Sequence, residues 1–362
     1  MPALQVEGYP SPRQNKQDHN RSTVYAAWNQ AVDHADILLR YRCKSCTKTF
    51  FDRITSRTAG KYGHNLLAYT MYLNIELRLP QGHVDASVGK LFGLHIPSGT
   101  TSQFKSAAAH TYRCVYDDLL EKLCSGSLLH VDETSVSVKG KDGYVWVLAS
   151  MENVAYFFTP TREAATIQAM LKDFSGVLVS DFYAAYDAIE CPQQKCLIHF
   201  IRDLNDDVLK HPYDDQLKQL VGAFAGLVKP MVETVDRRGL KKRFLRKHRN
   251  FVDRFYKRLS GGFGAGEPAL KIIERLQKNR NTMFTFLDFD DVPWNNNNAE
   301  HAVKAFATLR RVIDGSTNEV GLRDYLILLS LCETCKYKNV DFLHFLRSGS
   351  KDIDHFDISQ RK

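Results

Sequence analysis

The chain has 362 residues, of which 44% are hydrophobic and 25% are charged, a composition typical of globular proteins that excludes extensive disorder. A length of this order suits roughly two or three domains. The net charge of +8 favours polyanionic partners. Because no apolar run approaches the roughly 20 residues that span a bilayer, and residues 1–21 lack the apolar core of a signal peptide, we expect a cytoplasmic protein with no membrane contact.

The N-terminal region contains a pair of cysteines that suggests a metal site. Residues 1–22 are polar and aperiodic, as in a flexible lead-in. In the segment 23–59, Cys43 and Cys46 lie three apart among basic and aromatic residues, as in one knuckle of a zinc ribbon. Structural zinc takes four ligands, and the second cysteine pair of a ribbon is missing. Two interpretations stay open, a bound Zn²⁺ and a degenerate knuckle with free thiols.

Residues 60–125 have a helical pattern that breaks at 79–82. Two short helices around a Pro-Ser-Gly turn at 97–99 have the outline of a helix-turn-helix. The pattern allows a DNA-reading unit or an ordinary pair of packed helices.

Residues 126–204 change to alternating and continuous apolar runs, which indicate strands. Three strands joined by a Gly-containing turn at 139–143 predict an antiparallel meander. The predicted elements are strands at 128–134 with 136–138, 144–149 and 154–158, a helix at 162–174, a strand at 177–181, a helix at 183–189 and a strand at 195–200. This order predicts an α/β fold with a ribonuclease-H-like mixed sheet.

Residues 205–293 are polar and helical, too long for a loop. Twelve Lys or Arg residues against three acidic ones lie between 229 and 258, and they include Lys241, Lys242, Arg243, Arg246 and Lys247. Interleaved aromatic residues either stack on bases or pack inward. The segment is a candidate surface for DNA phosphates, with a merely solvated basic helix as the alternative.

Residues 294–347 begin with an asparagine run that predicts a helix N-cap. It places Glu300 in the first helical turn, with Lys304 one turn further on the same face. Arg310 and Arg311 lie near the end of this helix. A later apolar helix at 325–337 contains Cys332 and Cys335, which we expect to be buried core thiols. Residues 348–362 form a charged tail.

Three carboxylates have placements that suit a metal site. Asp132 lies on the first core strand and Asp181 ends the fourth, and these strands are neighbours in a ribonuclease-H-like sheet. Carboxylates this close repel unless a cation lies between them, and Mg²⁺ prefers oxygen ligands. Two such ions catalyse in-line displacement at phosphorus. Strand alternation points Glu133 away from Asp132, so Glu133 is not counted as a ligand.

The local motifs closely resemble those of the DDE transposases of the insertion-sequence-66 family, over roughly residues 85–347. The motifs occur in this order: Asp132-Glu133-Thr134, the segment 180–186, the segment 196–204, the segment 296–302, Gly315-Ser316 and the segment 331–336.

The resemblance implies a ribonuclease-H-like domain with a helical insertion before the last catalytic helix, preceded by a helical DNA-binding region. It implies cleavage at mobile-element ends and strand transfer into target DNA, with Mg²⁺, or Mn²⁺ in its place. Asp132, Asp181 and Glu300 would be the catalytic metal ligands. The other positions carried over are His199, Arg202 and Asn298 beside the site, and Lys304, Arg310 and Arg311 on DNA.

The family also implies a homo-oligomeric synaptic complex, and companion proteins of the element are a further expectation. Two departures stand out, since His301 replaces the usual arginine and the N-terminal zinc region is reduced to Cys43 and Cys46. Two alternatives to the transposase stay open. One is an inactive or domesticated DNA-binding protein, and the other is a metal-dependent nuclease without strand transfer.

Overall fold

The computed structural model describes residues 62–97, 99–262, 266–313 and 317–356, without the side chains of 261, 262 and 310–313, together with the backbone of four N-terminal strands. The chain divides into two compact units. The first unit comprises Met1–Val115 and Asn318–Lys362, and the second comprises Tyr116–Thr317. Cys43 and Cys46 lie outside the described residues.

The first unit combines short antiparallel strand pairs with helices. Its elements are β1 (Asn20–Val24) paired with β2 (Ala31–Ala35), β3 (Arg40–Arg42) paired with β4 (Thr49–Phe51), α1 (His64–Met71), a π-helical turn (Tyr72–Glu76), α2 (Gln81–Phe92), α3 (Thr100–Thr111), α4 (Arg113–Cys124, which continues into the second unit), α13 (Glu319–Tyr337) and α14 (Phe342–Ser348).

Helix α13 is strongly apolar, and most of its side chains from Leu322 to Cys335 are buried. Cys332 and Cys335 are both fully buried free thiols, so the prediction of core cysteines is confirmed. Burial raises the pKa of each thiol. Both thiols therefore stay protonated and unreactive.

The second unit is built on a five-stranded mixed sheet, which is compatible with a ribonuclease-H-like fold. Its strands are β5 (Leu128–Val138), β6 (Lys141–Ala149), β7 (Val154–Thr159), β8 (Val177–Ser180) and β9 (Gln193–Lys195), in the order β7-β6-β5-β8-β9. The predicted meander is confirmed, since β5–β6 and β6–β7 are antiparallel. The predicted adjacency of the first and fourth strands is confirmed by the parallel pairing of β5 and β8.

Local backbone chemistry fixes the ends of these strands. The β5–β6 hairpin closes through Lys139 and Gly140, both with positive φ (50° and 75°), as a tight two-residue hairpin requires. Gly176 precedes β8 at a point of close backbone approach, where an added Cβ would lie 2.5 Å from the carbonyl oxygen of Gly126. A side chain at Gly176 would therefore push β8 away from β5.

The helices of the second unit follow the strands and lead to the last carboxylate. They are α5 (Ala164–Met170), α6 (Leu197–Lys210), α7 (Asp215–Arg238), α8 (Lys242–Leu245), α9 (Arg249–Gly262), α10 (Glu267–Lys278), α11 (Arg280–Met283) and α12 (Asn297–Ile313). Buried residues of β8 and of α6, α7, α9 and α10 share one hydrophobic core. No helix of the described ranges has both the length and the apolarity to cross a membrane.

Two sequence predictions in this unit are wrong. Residues 195–200 do not form a strand, because β9 ends at Lys195 and α6 begins at Leu197. Leu197, Phe200 and Leu204 are buried at helical spacing against the insertion helices. The predicted helix at 183–189 is only a 3₁₀ turn, Ala184–Tyr186.

Candidate functional site

Asp132 lies on β5, and Asp181 directly follows the neighbouring parallel strand β8. The β5–β8 register pairs Leu128 with Val177 and His130 with Val179, and its continuation by two residues brings Asp132 opposite Asp181. Adjacent strands are about 4.8 Å apart, and paired residues point to the same face. The sheet therefore presents both carboxylates at one edge of the same face.

Each of these aspartates is oriented by a local backbone hydrogen bond. The N–H of Glu133 donates to Asp132 Oδ1 at 2.9 Å, and the N–H of Tyr183 donates to Asp181 Oδ1 at 2.9 Å. The pKa of Asp132 is raised to about 7, chiefly by burial and also by the charges of Glu133, Asp181 and Glu300, while the hydrogen bond from the Glu133 N–H lowers it. Asp132 thus lies within electrostatic reach of both other predicted triad members.

Glu300 lies in the first turn of α12, as predicted. Its Oε1 is 3.7 Å from Nδ1 of His199, and both atoms are buried without a hydrogen-bond partner. Among the described residues, the ligand atoms of Cys196, His199 and Glu300 all lie within 4.8 Å of one another. Asp132 and Asp181 are not members of this close group, so the structure does not bring the three predicted triad carboxylates within 4.8 Å of one another.

Asn296 connects the strand of Asp132 to the helix of Glu300. Its fully buried side chain donates from Nδ2 to the carbonyl oxygen of Val131 at 2.8 Å, and its Oδ1 is 3.0 Å from Nδ1 of His130. Burial lowers the pKa of His130 to about 4. The ring is therefore neutral at physiological pH and acts in this hydrogen bond rather than as a charge.

Glu133 belongs to a separate set of contacts. Its side chain is 3% exposed and accepts hydrogen bonds from the guanidinium of Arg162 and the hydroxyl of Tyr186. The Arg162 guanidinium stacks on the ring of Tyr183 at 3.9 Å. These partners satisfy Glu133, whereas Asp132 and His130 lie two apart on β5 and share the other face of the sheet.

The remaining predicted residues near the site vary in exposure. Asn298 is half-buried and donates from Nδ2 to the carbonyl oxygen of Ser150 at 2.6 Å. Arg202 on α6 and Lys304 on α12 are exposed. The side chains of Arg310 and Arg311 lie outside the described residues.

The predicted basic surface lies on and beside α8. Lys241, Lys242, Arg243, Arg246 and Lys247 are all exposed. The ammonium of Lys241 is paired with Asp291 at 2.8 Å, and the guanidinium of Arg243 lies over the Phe244 ring at 4.6 Å. Cationic side chains are thus presented to solvent along one short segment.

Sequence reasoning missed the part that Cys196 and Asn296 play in this site. Both lie inside the family motifs, but a strand at 195–200 would put Cys196 and His199 on opposite faces. In the helix that forms instead, residues three apart share a face. The Cys-x-x-His spacing at a helix start was the available signal.

A match to a known protein family covers the whole second unit. Residues 59–324 match the family described as Transposase IS66 family. The chain is also similar to the uncharacterized protein y4jO of Sinorhizobium fredii (strain NBRC 101917 / NGR234), with 28% identity over 76 residues. That stretch is 21% of this chain and 24% of the relative, so the chain spans about a quarter of that protein's length.

Proposed function

Because the chain belongs to the Transposase IS66 family, we propose that it cleaves DNA at the ends of a mobile element and joins them to target DNA. The observation that carries this proposal is the position of Asp132 just beyond the end of the β5–β8 pairing, beside Asp181, with its pKa raised to about 7 by burial and by the neighbouring charges, Glu300 among them. Carboxylates grouped in this way are destabilised when ionised, and a bound cation relieves the repulsion.

Asp132, Asp181 and Glu300 supply only oxygen donors, which are the ligands that Mg²⁺ prefers, and we assign Mg²⁺ to them on that ground. When bound, Mg²⁺ would neutralise charge on the phosphodiester and on the attacking and leaving oxygens. The backbone N–H groups of Glu133 and Tyr183 hold one oxygen of each aspartate. Glu300 has an unpartnered buried oxygen, so its carboxylate has capacity for a further ligand.

The positions around the triad suit binding of a DNA end. Arg202 is exposed on α6, the helix of His199, and Lys304 is exposed one turn beyond Glu300. We assign both to phosphate contacts, together with Arg310 and Arg311. His199 and Asn298 belong beside the reacting phosphate, where the His199 ring would exchange a proton or a hydrogen bond with a phosphate oxygen.

Residues 205–293, which include α7 to α11, lie between the core and α12. We propose that they form the helical insertion of the catalytic domain and bind DNA through the exposed basic side chains near α8. Helices α2 and α3 of the first unit are proposed to contribute a helix-turn-helix contact. Two element ends must be handled together, so we propose a homo-oligomeric synaptic complex, with companion proteins of the element as further partners.

The catalytic proposal is tested with purified full-length protein, DNA fragments from both flanks of its gene, and Mg²⁺ or Mn²⁺. Asp132→Asn, Asp181→Asn and Glu300→Gln should each lower nicking and strand transfer by at least about a hundredfold, because each removes a ligand of ions worth several kcal/mol in the transition state. The matched control is Asp142→Asn, an exposed carboxylate on β6, which should retain activity.

The products separate the alternatives. Joined products identify a transposase, whereas hydrolysis without joining identifies a nuclease. Binding without metal-dependent cleavage identifies a DNA-binding protein that has lost catalysis. Full activity in any one of the three carboxylate variants removes that residue from the proposed site.

DNA binding by the basic segment is tested through its salt dependence. Removal of one cationic side chain that binds a phosphate should lower the slope of log K against log salt by about one. Arg246→Ala with Lys247→Ala should therefore flatten the slope by up to about two. Lys241→Ala should change it less, because the Lys241 ammonium is already paired with Asp291. Equal slopes for all variants would show that DNA binds elsewhere.

A further inference from the structure

The beginnings of α6 and α12 bring a thiol, an imidazole and a carboxylate together. The ligand atoms of Cys196, His199 and Glu300 lie within 4.8 Å of one another. His199 Nδ1 and Glu300 Oε1 are buried without a hydrogen-bond partner. We infer that Cys196, His199 and Glu300 form a binding site for a zinc-class divalent ion, chemically distinct from the Asp132–Asp181 pair.

The spacing suits shared ligands of one ion better than a direct hydrogen bond. His199 Nδ1 and Glu300 Oε1 are 3.7 Å apart, which is beyond hydrogen-bond distance. In tetrahedral zinc sites with Zn–N and Zn–O bonds of about 2.0–2.1 Å and Zn–S of about 2.3 Å, ligand atoms are about 3.3–3.6 Å apart. Since all three ligand atoms lie within 4.8 Å of one another, a closing movement of at most about 1 Å would complete the geometry.

The sulfur of Cys196 is held by the backbone of both helix starts. Cys196 is fully buried, and the N–H of Asn296 donates to its Sγ at 3.2 Å. Burial raises the pKa of the thiol, while the backbone N–H groups of His199, Asn296 and Ile198 oppose that rise. Donors of this kind stabilise a metal-bound thiolate and fix its direction.

Two hydrogen bonds join the starts of the two helices and position the ligands before any ion binds. The N–H of Leu197 donates to the carbonyl oxygen of Trp294 at 3.0 Å, beside the Asn296–Cys196 contact. Cys196 caps α6, His199 lies in its first turn, and Glu300 lies in the first turn of α12. The ligands therefore sit on helix termini that are already joined.

The ligand atoms of Cys196, His199 and Glu300 determine which class of metal ion the site prefers. Sulfur and imidazole ligands favour Zn²⁺ and related transition metals, whereas Mg²⁺ takes oxygen ligands. Three protein ligands also leave one tetrahedral position for water or a substrate oxygen. Asp132 and Asp181 offer only oxygen, so the two groups of ligands differ in preference although they are neighbours.

The test is a cobalt titration of the chelator-treated full chain carrying Cys43→Ser and Cys46→Ser, which removes the other candidate cysteine pair. Co²⁺ substitutes for zinc and reports a thiolate ligand by a near-ultraviolet charge-transfer band. We expect one Co²⁺ per chain with this band, displaced by equimolar Zn²⁺ and not by excess Mg²⁺. Cys196→Ser should abolish the band, and His199→Asn should weaken Co²⁺ binding at least about tenfold.

Cys191→Ser and Asp132→Asn are the matched controls. Cys191 is a half-buried thiol five residues before Cys196, and both variants should keep the band. His199 is 29% exposed, so His199→Asn should fold even if Cys196→Ser does not, as circular dichroism will show. Absence of the band in the parent chain, or undiminished Co²⁺ binding by folded His199→Asn, would overturn the site.

Glu300 belongs both to the zinc-class site and to the proposed Mg²⁺ ligands. The zinc-class site should therefore regulate cleavage, an inference that rests on the proposed function. An ion held with Cys196 and His199 would withdraw Glu300 from Asp132 and Asp181, so Zn²⁺ should inhibit Mg²⁺-dependent cleavage. Because His199 is also proposed to act beside the reacting phosphate, the cleavage of each protein is taken relative to its own rate without Zn²⁺. On that scale, His199→Asn should raise the inhibitory Zn²⁺ concentration at least about tenfold. Inhibition at the same Zn²⁺ concentration in the wild type and in His199→Asn would refute the regulation. If the wild type shows no cleavage at all, the proposed function is refuted, but the cobalt titration still tests the zinc-class site.

Discussion

Asp132→Asn should stabilise the metal-free protein, and the gain should grow as the pH rises. The pKa of Asp132 is raised from 3.8 to about 7, chiefly by burial. Below pH 3.8 the folded and unfolded states both hold the proton, so no penalty arises. Between 3.8 and about 7 the unfolded state ionises first, so stability is lost progressively until the folded state also ionises.

The size of the effect follows from this shift. Each pKa unit corresponds to about 1.4 kcal/mol, so the penalty on the wild type is about 2 kcal/mol at pH 5 and about 4 kcal/mol at pH 8. Asparagine carries no charge and keeps the oxygen that accepts from the Glu133 N–H. The gain from Asp132→Asn should therefore increase by about 2 kcal/mol between these two pH values.

Equilibrium urea unfolding in chelator at pH 5 and pH 8 measures this difference. Asp142→Asn on the same sheet, where the carboxylate is exposed, is the matched control and should show no comparable dependence on pH. An Asp132→Asn curve that runs parallel to the wild-type curve at both pH values would refute the reasoning. Added Mg²⁺ should stabilise the wild type at pH 8 and have less effect on Asp132→Asn.

Two further predictions concern the contacts that position the site. Asn296→Ala should lower the free energy of unfolding by about 3 kcal/mol, because it leaves buried polar groups of β5 without partners; Asn297→Ala, at an exposed position, should change it little, and equal midpoints in urea would contradict the bridging role. Arg162→Ala should cost about 1–3 kcal/mol by leaving the buried Glu133 carboxylate with one partner fewer. Adding Glu133→Gln should recover part of that loss, and an unchanged cost in the Glu133→Gln background would show that the two side chains are not coupled.

The sheet was predictable because its strands carry strong local signals. The β5–β6–β7 meander follows from alternating apolar runs and a Gly-containing turn, and the parallel β5–β8 pair follows from the ribonuclease-H-like order of the elements, in which the first and fourth strands are neighbours. Glu300 in the first turn of α12 follows from the asparagine run that precedes it. The meander and the start of α12 depend on interactions within a few residues along the chain, whereas the β5–β8 pair depends on the order of the elements.

The segment at 195–200 shows where local pattern failed. Six apolar-rich residues fit a strand or the first turns of a helix equally well. The choice is made by Leu197, Phe200 and Leu204, which pack at helical spacing against residues contributed by α7 and later helices. Only packing against that core, whose residues lie far away in the sequence, distinguishes a helix from a strand in this segment.

The sequence by itself determined the β5–β6–β7 meander, the placement of Asp181 at a strand end and the helical position of Glu300, because hydrophobic period and turn chemistry are local properties. Only the tertiary structure decided which atoms lie near Glu300. Cys196 and His199 come within reach of it because α6 and α12 begin side by side. Their meeting depends on hydrogen bonds and packing between residues about a hundred positions apart, and no local pattern records such contacts.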